Sequence, residues 1–203
     1  MIEFGFEKEY FIKSKGQYCI VPDNAMGHDD CGYLAEARGT HHENPITASF
    51  LFDAAEYELE TQAAIKKVKL IEEPFITLPK DLERQALRQF GKSTISYDRG
   101  NIYGLDYDVN EEPVARAGLH VHFSNKKSFV GKDSNLTLYG ILNIPKLIQL
   151  LDKAFEKEIK EARRLPGFYE MKSYGFEYRS LPNTVSTLDV AEILKNRSGI
   201  KEW

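Results

Sequence analysis

Four short stretches of the chain each carry two ionisable side chains two residues apart. Side chains alternate between the two faces of a β-strand, so both members of such a pair lie on the same face. If the four strands are neighbours in one sheet, that face collects carboxylates, imidazoles and guanidinium groups. These are the groups that a site for metal ions and a polyanion requires. The pairs are Glu7 and Glu9 in FGFEKEYFI, Glu36 and Arg38 in YLAEARG, His120 and His122 in AGLHVHFS, and Glu177 and Arg179 in YGFEYRSLP.

A solvated sheet face is the simpler interpretation of any one of these strands. Antiparallel sheets often have one face in water, where charged residues at a period of two carry no function. This interpretation weakens when the four strands are taken together, because a merely solvated face would use Lys and Thr as freely as Glu, His and Arg. Three of the five histidines, His28, His41 and His42, nevertheless lie outside the pairs.

Composition favours a globular protein of one domain, spanning residues 1–203. The hydrophobic content of 42% and the charged content of 29% are typical of such proteins. The net charge of -4 shows no basic excess, so no nucleic-acid partner is expected. No apolar run approaches the roughly 20 residues that span a bilayer. With no signal peptide recognised at the N-terminus, and with only Cys19 and Cys31 as cysteines, we expect a cytoplasmic protein without a membrane partner.

Hydrophobic periodicity and turn residues predict an α+β domain, in which helices pack on one face of a mostly antiparallel sheet and the other face is free to hold a site. Asn44-Pro45 is a typical helix start, and Phe50, Ala54, Tyr57 and Ala64 follow at near-helical spacing. A less regular excursion is expected at about 70–112. Residues 68–78, where it begins, fit a strand only weakly. Predicted strands cover 2–13, 17–21, 33–39, 117–124 and a hairpin at 168–180, and predicted helices cover about 46–66, 79–90, 144–164 and 186–196.

The paired residues suit phosphate chemistry with hard cations. Glu7, Glu9, Glu36 and Glu177 could share two Mg²⁺ ions, since Mg²⁺ prefers carboxylate oxygens and substrate phosphates. His120 would suit Mn²⁺ or Mg²⁺ beside a nucleotide. Arg179, next to Glu177 on its face, offers a fork of donors to phosphate. Phosphoryl transfer needs mainly such metals, such cations and in-line positioning.

Other classes of metal protein and hydrolase fit the sequence poorly. A cupin would carry a glutamate shortly after the histidine pair, whereas Phe123-Ser124-Asn125-Lys126 follows here. An amidohydrolase barrel needs a far longer chain. The sequence also contains no glycine-rich phosphate loop and no Gly-x-Ser-x-Gly elbow.

Taken in order, GFEKEYFI, YLAEARG, RAGLHVHFS and YGFEYRSLPN resemble motifs of the carboxylate–amine ligases (amidoligases) related to glutamine synthetase and glutamate–cysteine ligase. The chain is most similar to the compact phage group, carboxylate–amine ligase type 2. The resemblance covers about residues 1–60 and 113–183, and does not extend over 70–112. Its most specific part is the Tyr-Gly before Glu-x-Arg with the Leu-Pro-Asn that follows.

The resemblance implies a curved, mostly antiparallel sheet, half a barrel, backed by helices and similar to the catalytic domain of glutamine synthetase. Its concave face would hold ATP and two or three Mg²⁺ or Mn²⁺ ions. The implied reaction transfers the γ-phosphoryl group of ATP to a carboxylate, and an amine then attacks the acyl phosphate to give an amide. Small-molecule or peptide carboxylates and amines would be the substrates, and the protein would work in the cytoplasm, including that of a phage host.

The resemblance also assigns roles by position. The phosphate-contacting arginine and a residue near phosphate or substrate would be catalytic: Arg179 and Arg116. The nucleotide and its phosphates would be contacted by His122, Arg179, Ser124, Arg164 and Lys172. The metal ligands would be Glu7, Glu9, Glu36, His120, Glu177 and, from its place after Glu36, Glu43.

Two departures leave alternatives open. Ala117-Gly118-Leu119 precedes His120 where the phage group commonly has a Gly-Gly-His-Ile-His run, and THHENP, with His41 and His42, has no counterpart that assigns it a role. The chain also lacks the N-terminal domain of glutamine synthetase, so a site shared between subunits does not follow and the oligomeric state is open. A non-catalytic binding protein on the same fold and a metal-dependent phosphotransferase or hydrolase are the alternative functions.

Overall fold

A computed structural model describes residues 2–22, 26–29, 32–91, 99–107, 114–125 and 144–196. These residues form an α+β structure in which every strand pairing is antiparallel. The strands are β1 (Ile2–Ser14), β2 (Gln17–Cys19), β3 (Leu34–Arg38), β4 (Lys69–Ile71), β5 (Phe75–Thr77), β6 (Arg99–Asn101), β7 (Val114–Arg116), β8 (Gly118–Asn125), β9 (Phe168–Lys172) and β10 (Gly175–Pro182). The helices are α1 (Pro45–Ile65), α2 (Lys80–Phe90), α3 (Ile144–Ala154), α4 (Glu156–Glu161) and α5 (Thr187–Asn196).

The long strand β1 is the centre of the main sheet, because it is paired on both edges. Its first half pairs with β8 on one edge, and β3 pairs with residues 7–11 on the other. Near the end of β1, β4 pairs with it on the same edge as β8, and β2 pairs with it on the same edge as β3. Beyond β8 the sheet extends through β10 and β9 to β6. The strands that carry the four ionisable pairs are therefore consecutive neighbours, in the order β3, β1, β8, β10.

One face of this sheet carries the main hydrophobic core. Leu119, Val121 and Phe123 of β8 are fully buried there, as the strand alternation predicts. Phe123 stacks on Phe176 of β10 with ring centroids 4.6 Å apart. Apolar residues of α1, α3, α4 and α5 complete the same core. Four helices thus back the sheet, and each ionisable pair faces away from them.

The expectation that the helices would lie on one face is wrong for α2. This helix packs on Phe11 and Leu34, which share the face of the ionisable pairs, through its buried Leu82 and Ala86. The two-stranded sheet of β5 and β7 belongs to the same small cluster. Together these elements form a wall that closes one end of the opposite face. The uncertain segment 68–78 provides part of this wall, since it forms the two short strands β4 and β5.

Local sequence signals set several helix ends as predicted. The Asn44 side chain accepts hydrogen bonds from the backbone N–H groups of Ile46 and Thr47, at 2.9 and 3.4 Å, and so caps α1. Gly91 ends α2 with a positive φ of 70°, which glycine adopts without strain. The Ser186 hydroxyl accepts from the N–H of Leu188 at 3.2 Å at the start of α5.

The predicted helix 144–164 is interrupted in the structure. Phe155 leaves the helical conformation, with φ of -119° and ψ of 27°, and separates α3 from α4 while its ring enters the core. Parts of the predicted excursion, residues 92–98 and 108–113, lie outside the described residues, as does Cys31. In the described part of the chain, no helix has both the length and the apolarity that crossing a membrane requires.

Helix α1 buries a different stripe from the one that its sequence spacing suggests. Phe50, Ala54, Tyr57 and Ala64 recur at helical intervals, yet all four lie on the exposed face. The buried face is formed instead by Ala48, Ser49, Phe52, Leu59 and Ala63. The helix is apolar on both sides, so periodicity alone could not choose the side that packs.

Two phenylalanines of α1 give a direct test of this orientation. Phe52 is 1% exposed and Phe50 is 61% exposed. Phe52→Ala should lower the free energy of unfolding by about 3–5 kcal/mol through lost burial and the cavity that remains. Phe50→Ala, the matched control, should change it by about 0.5 kcal/mol or less. Urea unfolding of both variants measures this, and equal losses would contradict the orientation of α1.

Candidate active site

The strand registers place the four ionisable pairs side by side. Glu7 stands opposite Arg38 on one edge of β1 and opposite His120 on the other. Glu9 stands opposite Glu36. On the next strand pair, His122 stands opposite Glu177. Because partners in register share a face, these side chains meet on the face that the core leaves free.

This face is not a solvated one. Seven of the eight paired groups range from 1% exposed, for His120 and Glu177, to 8%, for Glu7 and His122, whereas Arg38 is exposed. Ionised side chains are almost never buried without partners, because burial removes them from water. The burial rules out the interpretation of the pairs as ordinary solvated residues. The other members of the group are Glu9, Glu36 and Arg179.

Two overlapping sets of ligand atoms lie in this cluster, and they share Glu7. In each set the candidate atoms lie within 4.8 Å of one another. The first set is Glu7, His120 and Glu177, where His120 Nδ1 is 3.1 Å from Glu7 Oε1 and 2.9 Å from Glu177 Oε1. The second set is Glu7, Glu9 and Glu36. Carboxylate oxygens with one imidazole form a donor set that fits Mg²⁺ or Mn²⁺.

Hydrogen bonds from the backbone and close packing hold the second set in place. Glu9 Oε2 accepts from the N–H of Gly118 at 2.6 Å. A Cβ on Gly118 would stand 2.8 Å from His120 Nε2 and 2.9 Å from Arg164 Nη2, so a larger residue would disturb both side chains. Glycine at this position therefore leaves room for the His120 ring and the Arg164 guanidinium.

Cations stand on both sides of the carboxylates. On the β3 side, the Arg38 Nε donates to Glu7 Oε2 at 2.7 Å, and its Nη2 forms an ion pair with Glu36. On the β10 side, Arg179 bonds Glu177 and is 3.2 Å from Glu170 Oε2. Lys172 completes that side, with its Nζ 3.0 Å from Glu177 Oε2. The pairing of β10 with β8 shifts register between Tyr178 and Leu181, and Arg179 lies in this irregularity, where bulges often redirect side chains.

The cluster drives neighbouring pKa values apart. Burial raises the pKa of Glu7, but the hydrogen bond and charge of His120, with His122 and Arg38, outweigh it and lower that pKa to about 2. Burial and then the charges of Glu7 and Glu9 raise the pKa of Glu36 to about 9. Burial and Arg179 lower the pKa of His120, but Glu9 and Glu177 outweigh them and raise it. The metal-free cluster thus retains a proton on Glu36 at neutral pH, and the carboxylates favour the protonated form of His120.

A second group of aromatic side chains lies at the other end of β8. Burial lowers the pKa of His122 to about 4, so this imidazole is neutral. Its Nδ1 is 2.6 Å from the Tyr174 hydroxyl. The His41 ring lies 5.7 Å from both of these rings, and its Nδ1 is 3.1 Å from Ser124 Oγ. A Cβ at Gly5 would stand 2.1 Å from His41 Cδ2, so glycine in β1 makes room for this ring.

Most of these groups line one open cavity of about 630 Å³, while Glu9, His120 and Ser124 lie outside its lining. Its walls include residues from β1, β3, β9 and β10, the 26–29 segment and the turn before β10. A cavity of this volume falls in the range of small-molecule and cofactor sites. The polar and charged residues that line it are Glu7, His28, Asp29, Glu36, Arg38, His41, His122, Glu170, Lys172, Tyr174, Glu177 and Arg179.

Three residues that the family resemblance suggested lie apart from the carboxylates. Glu43 is exposed and outside the lining of this cavity. Arg116 lies over the Tyr107 ring at 3.9 Å and donates to the carbonyl of Arg163 at 3.2 Å. Arg164 donates to the carbonyls of Ala117, Arg179 and Ser180 at 3.1, 2.6 and 3.1 Å. These contacts tie Arg164 to the backbone that carries Arg179, so its guanidinium positions this strand end.

Sequence reasoning gave no role to several residues that line the cavity. His41 stands in THHENP, and a partly buried His packed beside a strand glycine has no periodic signal. Tyr174 lies in the β9–β10 turn, directly before the Gly-Phe-Glu-Tyr-Arg strand. Glu170 of β9 lies two residues before Lys172, to which the resemblance did give a role, so the same alternation that identified the other four pairs would have found Glu170. How close Glu170 and Lys172 lie to β1 depends on the strand order, which alternation does not give.

No protein-family model matches the chain, and a search of the curated proteins found no match.

The raised pKa of Glu36 makes the stability of the metal-free protein depend on pH. Its pKa rises from 4.5 when unfolded to about 9 when folded, so the stabilisation is complete below about pH 4.5 and is lost as the pH rises towards 9. Glu36→Gln keeps the shape without this ionisation. In EDTA, the variant should gain stability over the wild type as the pH rises from 6 to 9, reaching on the order of 1–3 kcal/mol.

Urea unfolding at several pH values measures that difference. Glu192→Gln, which changes an exposed glutamate of α5, is the matched control and should follow the wild type. A Glu36→Gln difference that stays constant across this pH range would contradict a protonated Glu36.

Proposed function

We propose that the chain is an ATP-dependent carboxylate–amine ligase of the group related to glutamine synthetase and glutamate–cysteine ligase. The observation that carries the proposal is the pair of overlapping ligand sets that share Glu7 on one buried sheet face. The motifs that resemble this group lie on four adjacent strands, and they contribute every member of the two sets. In this proposal the main sheet corresponds to the half-barrel of that group, and the protein acts in the cytoplasm.

Two divalent cations held by these sets would neutralise the phosphates of ATP and the charge that develops during transfer. Glu7, His120 and Glu177 would hold one ion, and Glu7, Glu9 and Glu36 would hold the other. Metal binding requires Glu36 to give up its proton and His120 to be neutral. The cost of burying several carboxylates is then offset by the ions rather than by protons.

The side chains on the β9–β10 side would bind the phosphates. Arg179 is 7% exposed, and its Nη1 is held between Glu177 and Glu170, so the guanidinium is fixed before the nucleotide arrives. Donors fixed in this way stabilise developing charge without reorganising. Lys172 lies beside it as a second cation. His122 is neutral and bonded to Tyr174, and it would contact the nucleotide as a hydrogen-bonding group, with Ser124 and His41 close by.

The reaction has two steps. A carboxylate oxygen of the first substrate attacks the γ-phosphorus and ADP leaves, which gives an acyl phosphate. The nitrogen of an amine then attacks the acyl carbon and inorganic phosphate leaves, while the amine loses a proton. The closed end formed by α2, β5 and β7 would limit the access of water, which would otherwise hydrolyse the acyl phosphate.

Calorimetric titration with ATP tests the site before any substrate is known. The wild type should bind ATP in the presence of Mg²⁺ and bind it at least about tenfold more weakly in EDTA. Glu177→Gln removes a ligand charge and little volume. It should therefore lose the Mg²⁺-dependent gain in ATP affinity, while its unfolding midpoint shows that the variant is still folded. Glu161→Gln, an exposed glutamate of α4, is the control.

The products then separate the candidate reactions. Screens of acids with amines should give an amide with ADP and phosphate. ADP formation without amide for any acceptor pair would favour a phosphotransferase or hydrolase. A folded wild type that binds neither Mg²⁺ nor ATP would overturn the proposed function and leave a binding protein.

A further inference from the structure

Arg38 differs from the other cations of the cavity in its exposure. Three lysine and arginine side chains line the described cavity. Arg179 is 7% exposed and Lys172 is 27% exposed, whereas Arg38 is 61% exposed. The family resemblance assigns roles to the first two and none to Arg38. An anion that enters the cavity therefore meets the Arg38 guanidinium as the most accessible positive charge.

Arg38 also lies on the opposite side of the carboxylates. The strand order β3, β1, β8, β10, β9 puts Arg38 at one end and Arg179 and Lys172 at the other. Strands are about 4.8 Å apart, so three spacings separate the backbones of Arg38 and Arg179 by roughly 14 Å. A group bound at Arg38 would thus lie across the metal ligands from a group bound at Arg179.

The present partners of Arg38 belong to the second ligand set. Its Nε donates to Glu7 Oε2 at 2.7 Å, and its Nη2 is paired with Glu36. A Mg²⁺ ion in this set needs those oxygens at about 2.1 Å. Ion pairs of an exposed guanidinium are weak, and two cations so close repel each other. A metal ion in this set would therefore compete with Arg38 for both glutamates.

The backbone around Arg38 stays in place while its side chain turns. Gly39 N–H donates to the Phe6 carbonyl at 2.9 Å, and a Cβ on Gly39 would stand 2.9 Å from the Cα of Phe52 in α1. The end of β3 is thus tightly packed against the helix layer. The exposed guanidinium, by contrast, faces the open cavity, so its release needs only side-chain rotation.

We propose that Arg38 is a displaceable cation that binds the carboxylate of the substrate. In the metal-free protein it holds Glu7 and Glu36. When metal takes these oxygens, the guanidinium turns into the cavity and forms a bidentate pair with the carboxylate to be phosphorylated. A planar guanidinium suits a carboxylate, and the phosphate-binding cations stand on the other side. This inference rests on the proposed function, because it requires metal at Glu7, Glu9 and Glu36.

Mn²⁺ binding tests the displacement without any substrate. The electron paramagnetic resonance signal of free Mn²⁺ reports the affinity. Arg38→Met removes the competing cation, so it should bind Mn²⁺ roughly fivefold more tightly than the wild type. Arg84→Met is the matched control, since Arg84 of α2 is 66% exposed and also ion-paired, with Asp81 at 3.5 Å. Its affinity should equal that of the wild type.

The outcomes distinguish a failure of the proposed metal site from a failure of the Arg38 displacement. If the wild type binds no Mn²⁺, the proposed function fails and the role of Arg38 fails with it. If the wild type binds Mn²⁺ but Arg38→Met binds it equally or more weakly, the metal site stands and the displacement is wrong.

Chemical modification tests where the guanidinium goes. Phenylglyoxal reacts with accessible arginines, and peptide mass mapping gives the rate at each one. Mg²⁺ should speed the modification of Arg38 several-fold and leave that of Arg84 unchanged. Excess glutarate, used as a plain dicarboxylate probe, should slow it again only in the Mg²⁺-loaded protein. Protection by inorganic phosphate but not glutarate, or by neither, would overturn the carboxylate assignment.

Discussion

The buried repulsion among four carboxylates is the constraint on which the site depends. Glu7, Glu9, Glu36 and Glu177 lie on one face of the sheet with little access to water. Removing such charges from water costs several kcal/mol each unless opposite charges stand close by. The protein meets this cost in the metal-free state with protons and with basic side chains. Each of these compensating groups occupies a position that a divalent cation could take.

The compensation is divided between the two ligand sets. In the first set, His120 lies between Glu7 and Glu177, and the neighbouring carboxylates raise its pKa and so favour its positively charged form. In the second, Glu36 keeps its proton and Arg38 binds the outer oxygens. Under the proposed function, the two sets would therefore respond differently to a metal ion. An ion in the first set would need His120 to be neutral, whereas an ion in the second would also displace a guanidinium that remains in the cavity and can bind an anion.

Strand β1 makes this arrangement possible, because it is paired along both edges. A single residue, Glu7, reaches β3 on one side and β8 on the other, so it can belong to both ligand sets. The helices on the core face hold the sheet from behind, and α2 with β5 and β7 closes one end in front. The alternation of β1 separates two roles of the strand: Phe4, Phe6, Tyr10 and Ile12 join the main core, whereas Glu7 and Glu9 belong to the ligand sets.

The sequence by itself determined which residues share a face and where several helices end, since strand alternation and capping are local. His120 and Leu119 point in opposite directions for that reason, and Asn44 caps α1 as expected. Tertiary structure decided what periodicity does not encode: which strands are neighbours, which side of α1 is buried, and that His41 rests on Gly5. Glu7 and Glu177 are 170 positions apart along the chain. Only the strand order brings their oxygens together and removes them from water, and it also brings the basic neighbours that keep both carboxylates ionised despite burial.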